Sequence, residues 1–79
     1  MTEYRDRRRF ESPDRQSALT IEEGDHGLCR FTVWMWAAAQ EGGDEFDHAY
    51  WAIDRRSGLY PTATEAEEAA RSEVDWFRA

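Results

Sequence analysis

The stretch Cys29-Arg30-Phe31-Thr32-Val33-Trp34-Met35-Trp36-Ala37 decides how the chain folds. In an extended strand successive side chains point to opposite faces. That rule puts Cys29, Phe31, Val33, Met35 and Ala37 on one side and Arg30, Thr32, Trp34 and Trp36 on the other. The odd side reads as the core face. Beyond Glu41-Gly42-Gly43-Asp44, the segment Phe46 to Asp54 alternates again, with Ala49, Trp51 and Ile53 opposite in sense to His48, Tyr50 and Ala52. The two segments read as a hairpin. A two-residue loop would set Met35 against Tyr50, whereas a loop of three or five residues sets Val33 against Ile53 and Met35 against Trp51. A one-residue slip turns every side chain over, so the odd loop is the expectation.

Upstream, Ala18-Leu19-Thr20-Ile21-Glu22 is a short strand whose Leu19 and Ile21 join the same core face, and Gly24-Asp25-His26-Gly27 turns into the long strand. Downstream, Asp54-Arg55-Arg56-Ser57-Gly58 reads as a turn into a very short Leu59-Tyr60 strand. Pro61-Thr62-Ala63-Thr64-Glu65 is then a helix start, with Thr62 placed to cap the first amides and Glu65 to bond back. The spacing of Ala66, Ala69, Ala70, Val74 and Phe77 predicts a helix running to about Arg78, its apolar stripe against the sheet. The expected core is Phe31, Val33, Met35, Trp51 and Ile53 under Ala66, Ala70, Val74 and Phe77. The fold class is α+β: a small antiparallel β-meander of three to five strands with one C-terminal helix packed on one face.

Such a sheet has a second face, which here carries Leu28, Trp34, Trp36, Phe46 and Tyr50 among Thr20, Glu22, Arg30, Thr32 and His48. One helix cannot cover both sides. Either the N-terminal arm lies over this face with Tyr4 and Phe10, or the face is a docking surface or dimer contact. Residues 1–17 read as that arm, with Tyr4 to Phe10 offering an edge strand ahead of the Ser12-Pro13-Asp14 turn signal. A short helix capped by Ser12 is the alternative. Residues 18–79 read as a single acidic domain of sheet plus helix.

With 79 residues, one Cys and two His, the chain has no internal disulfide and no zinc-site spacing. Its longest apolar run, Val33 to Ala39, falls well short of the roughly 20 residues a membrane helix needs, and Met1-Thr2-Glu3-Tyr4 begins no signal peptide. A soluble, cytoplasmic protein is the expectation. Four Trp, three Tyr and four Phe set it apart from a disordered acidic tail. Cys29 falls on the core face, where a thiol is inert. His26 sits in a turn, and His48 among Asp44, Glu45 and Asp47 lacks a second His. Gly42-Gly43 is no phosphate loop, because acids surround it and no Lys or Ser/Thr follows. Neither catalysis, cofactor nor metal is expected.

Charge is the more informative feature. The net charge is -7, with 10 basic residues against 17 acidic ones. The first 17 residues hold five Arg and four acids, and the remaining 62 hold five Arg and thirteen acids, so the acidity belongs to the body. Such a body opposes direct binding to DNA or RNA, and the arm's Arg residues are expected to pair with the body's acids. Glu41, Asp44, Glu45 and Asp47 surround the hairpin loop, Glu22, Glu23 and Asp25 a turn, and Glu65, Glu67 and Glu68 the helix start. Carboxylates two apart on a strand lie about 6.6 Å from each other, the scale of neighbouring phosphates. A small body bearing such rows competes for a basic groove that normally holds nucleic acid, and complementary potentials steer its association.

In size, in its acidic meander followed by the Pro61-Thr62-Ala63-Thr64-Glu65-Ala66 helix start, and in its Trp34/Trp36/Tyr50 surface, the chain resembles the small phage-encoded anti-CRISPR proteins, most of all the type I-C inhibitors. The resemblance implies a protein of the bacterial host cell's cytoplasm that binds the Cascade surveillance complex and keeps target DNA from its basic channel. The contact residues expected are Glu22, Glu23, Glu41, Asp44, Glu45, Asp47, Trp34, Trp36 and Tyr50. The order of strands followed by a Thr-x-x-Glu-Ala helix also resembles the HicB-type antitoxins, which block a basic toxin, although Gly42-Gly43 stands where that family has a Pro-Gly-Cys-like segment. A small oligomeric adaptor joined through the Trp34/Trp36 face is the third reading. The chain itself is expected as a monomer or weak homodimer.

Overall fold

The structure, a computed structural model, describes residues 2–37 and 50–77. Four antiparallel strands follow one another across a single sheet in chain order: β1 (Tyr4–Glu11), β2 (Ser17–Gly24), β3 (Cys29–Ala37) and β4 (Tyr50–Arg56). One helix, α1 (Ala63–Glu73), and a 3-10 turn, Asp75–Phe77, follow the strands among the described residues. The architecture is α+β, and α1 lies against β2 and β3. Residues 4–11 form the edge strand, and Ser12-Pro13 enter a tight turn rather than a helix. The Ser12 hydroxyl accepts from the Ser17 amide and donates to Asp14 Oδ1. The next turn needs Gly27, whose φ of 87° lies in the left-handed region.

The core lies where the period-2 and period-3.6 patterns coincide. Leu19, Ile21, Cys29, Phe31 and Val33 of the middle strands pack under Ala66, Ala70, Val74 and Phe77. Thr62 caps α1 by accepting from the Glu65 amide at 3.1 Å. The helix ends at Glu73, short of Arg78, because Val74 turns to an extended conformation while its amide still closes on the Ala70 carbonyl at 2.8 Å. Arg55 then donates to the freed Glu73 carbonyl at 3.0 Å. This break turns Phe77 back onto the sheet edge, where its ring meets Phe10 at 4.7 Å. Phe10 thus belongs to the helix side and not to the second face.

Two bulges revise the expected register. In β1, Arg7 is the extra residue between Asp6↔Glu22 and Arg8↔Ile21. In β4, Asp54 is the extra residue between Arg55↔Val33 and Ile53↔Trp34. Above this second bulge Trp36 pairs with Trp51 and Met35 with Ala52, so Trp51 and Ile53 share the face of Trp34 and Trp36. The expected core is corrected accordingly. Met35 is 50 % exposed and Ile53 45 %, and Trp51 is half-buried on the opposite face from the helix. Tyr50, paired with Ala37, leaves the Trp34/Trp36 face for the other one. Eleven helical residues span only about 16 Å, so α1 covers the sheet near β2 and leaves the far end of β3 and β4 bare. The Leu59-Tyr60 strand reduces to one bridge, in which Tyr60 and Cys29 exchange two backbone hydrogen bonds of 2.7 Å.

Candidate functional site

The sheet face turned from the helix has two zones. Its centre is polar yet closed: Thr20, Glu22 and Thr32 are each at most 5 % exposed. Buried polar groups need partners, and here the alternation that puts Leu19 and Ile21 into the core brings these even residues together. Thr20 donates to Glu22 Oε2 at 2.7 Å and accepts from the Trp34 indole at 3.0 Å. Arg30 binds Glu22 Oε1 at 2.8 Å, and its guanidinium stacks 3.5 Å over the Tyr4 ring. Burial works to raise the Glu22 carboxyl, but the hydrogen bonds from Thr20 and Arg30, the nearby Thr32 hydroxyl and the Arg30 charge prevail and hold it below its ordinary range. Thr32 Oγ1 stays buried outside hydrogen-bond geometry.

The second zone is aromatic and open. Trp36 and Trp51 meet edge to face at 5.2 Å, with Trp36 37 % exposed and Ile53 beside them on the Trp34 row. From the opposite edge of the sheet, the Arg9 guanidinium reaches to 5.4 Å from the Trp51 ring. Side chains of the two outer strands thus meet above the middle pair. Met35 and Tyr50 are exposed on the other side of the same hairpin, so its far end carries large apolar groups on both faces.

The expected contact residues divide. Trp36 lies on the open surface, and Trp34 is half-buried with its indole committed to Thr20. Glu22 is enclosed, and Glu23 is half-buried and paired with Arg7 at 3.4 Å. Tyr50 is exposed on the reverse face. Glu41, Asp44, Glu45 and Asp47 lie outside the described residues, as do His48, Phe46 and Gly42-Gly43. Arg9, Trp51 and Ile53 belong to the aromatic zone and were missed, because simple alternation contains no sign of the Asp54 bulge. Arg9 also paired less visibly, since the Arg7 bulge reverses its parity.

Cys29 and His26, the described thiol and imidazole, are each held by their surroundings. Burial, seconded by the Glu23 charge, pushes the Cys29 thiol up and away from the thiolate. His26 Nδ1 accepts from the Leu28 amide at 3.0 Å, and its Nε2 lies in a hydrogen bond of 3.3 Å with the Tyr4 hydroxyl. A shallow depression of about 300 Å³ is lined by Phe10, Glu11, Pro13, Arg71, Trp76 and Phe77. Arg71 there is exposed, its guanidinium 4.5 Å over the Phe77 ring and bound to Glu67 at 3.1 Å. Among the described residues no three His, Cys, Asp or Glu side chains gather as metal ligands, and no helix is long and apolar enough to cross a membrane. No protein-family model, no curated protein and no solved structure matches the chain.

Proposed function

We propose that the protein is a non-catalytic inhibitor that binds a nucleic-acid-handling protein complex and blocks it by occupying a basic surface with the β3–β4 hairpin. The observation that carries this reading is the concentration of exposed Met35, Trp36, Tyr50 and Ile53 at the end of that hairpin, in a chain whose connecting sequence holds Glu41, Asp44, Glu45 and Asp47. Apolar anchors next to a charged cluster are the usual composition of a protein interface, the anchors giving residence time and the charges orientation. A basic groove is the complementary partner for a body with thirteen acids against five Arg. The resemblance to type I-C anti-CRISPR proteins names that partner as Cascade, with target DNA as the displaced ligand.

Purified Cascade provides the test, through binding of the protein and through loading of target DNA. Trp36→Ala with Trp51→Ala should shorten residence on Cascade at least tenfold, and pre-bound protein should exclude DNA. Failure of the wild-type protein to be retained by Cascade from a lysate would remove Cascade as partner. Retention without loss of DNA binding would remove the competitor mechanism.

A further inference from the structure

The two edges of the sheet are built differently: β1 is guarded along its length, β4 only at its Asp54–Arg56 end. β1 carries Arg5, Asp6, Arg7, Arg8 and Arg9 with a bulge at Arg7. Antiparallel pairing of this edge with itself about Arg7 sets Arg5 against Arg9, and pairing about Arg8 sets Arg7 against Arg9 and Arg8 against Arg8. Like charges directly opposite are destabilising, and charges with bulges are the usual guards of an edge. β4 lacks that guard along Tyr50-Trp51-Ala52-Ile53, which has no charge, no Pro and no Gly. Among the described residues no strand pairs with its outer side.

Backbone parity says which groups point outward. The Trp36 amide donates to the Gln16 carbonyl at 2.8 Å, so Trp36 faces β2. Its neighbour Met35 therefore faces β4, and the partner of Met35, Ala52, faces back to β3. The amides and carbonyls of Trp51 and Ile53 are left pointing away from the sheet. We propose that this edge pairs antiparallel with the same edge of a second copy of the chain, Trp51 opposite Ile53 of the other copy, with the two-fold axis at Ala52.

That register satisfies all four outward groups. It places the two Ala52 residues as a non-hydrogen-bonded pair with Cα atoms about 4.5 Å apart, a spacing that small side chains fit. Trp51 and Ile53 share the aromatic face, so each Trp51 gains an Ile53 from the other copy beside it. The Trp34, Trp36, Trp51 and Ile53 surfaces then join into one face of double extent. Because the same patch serves both copies, the assembly closes as a dimer and does not propagate. The proposal goes beyond the inhibitor reading and does not rest on it.

Sedimentation of the purified protein alone tests it. Two copies of charge -7 repel each other, so dimerisation should strengthen as salt rises from about 50 to 500 mM, with the mass approaching twice the 9.3 kDa chain. Ala52→Asp and Ala52→Lys should each sediment as monomers with unchanged circular dichroism, and mixing them should restore the dimer. Ala52→Cys should become disulfide-linked under mild oxidation, whereas the wild type, with Cys29 enclosed, should not. A wild-type mass that stays at 9.3 kDa at every salt concentration overturns the proposal. So does a dimer that Ala52→Asp leaves intact, or an Ala52→Cys protein that remains uncrosslinked.

Discussion

Glu22 is the residue on which the second face depends. It is an enclosed carboxylate whose two oxygens are shared between Thr20 and Arg30, and it ties β2 to β3 across their Glu22↔Arg30 pair. Removing one partner of such a pair leaves a desolvated charge behind. Arg30→Met should therefore cost about 3 kcal/mol in a denaturant titration, at the low end for buried pairs because Arg30 keeps some solvent contact. Glu22 also sets an acid limb. Its folded pKa lies below its ordinary 4.5, so its contribution is complete above that value and fades as pH falls through the folded pKa. Thermal melts of Glu22→Gln and wild type should differ most near neutral pH and converge in acid. Melts that stay parallel down to pH 2 would show that the carboxylate contributes nothing as an anion.

At the scale of elements, the helix was legible in the sequence up to its end and the hairpin only up to its bulge. Thr62 and the alanine spacing announce α1 because capping and amphipathicity are local properties. Its stop at Glu73 was not legible, since Val74 leaves the helix in a tertiary context that includes the Arg55 side chain from another element at Glu73. The alternation of β3 likewise gave Cys29, Phe31 and Val33 correctly to the core, whereas Trp51 and Ile53 depended on cross-strand register, and Met35, on the expected face, lies beyond the reach of α1. A single extra residue, Asp54, moved Trp51 and Ile53 to the other face. The same logic predicts where truncation hurts. Phe77→Ala removes a ring that meets both Phe10 and Trp76 and should cost about 3 kcal/mol, and Val74→Ala about 1 to 2. Ile53→Ala, outside that core, should shift the denaturant midpoint far less than either, and an equal shift would restore the register that the bulge excludes.

For the whole molecule the question is which acids remain free to act on a partner. The basic strand β1 is tied down by its own body, through Arg8 on Glu67 at 2.8 Å and Arg7 on Glu23 at 3.4 Å. With Glu22 enclosed as well, two of the three acid clusters read from the sequence are partly spent on internal pairs. The hairpin cluster is then the place to test charge. Binding to a basic partner should weaken steeply between about 50 and 300 mM salt, because the distance over which separated charges attract shrinks from roughly 14 Å to roughly 6 Å across that range. Asp44→Arg with Glu45→Arg should slow association on a Cascade surface at least tenfold and flatten its salt dependence, while Trp36→Ala with Trp51→Ala should act on dissociation. Salt thus pushes the two proposed contacts in opposite directions, weakening the attraction to a basic partner and relieving the repulsion between two acidic copies. A charge-reversed hairpin that associates at the wild-type rate, with wild-type salt dependence, would remove this cluster from the contact and leave the aromatic face to carry recognition.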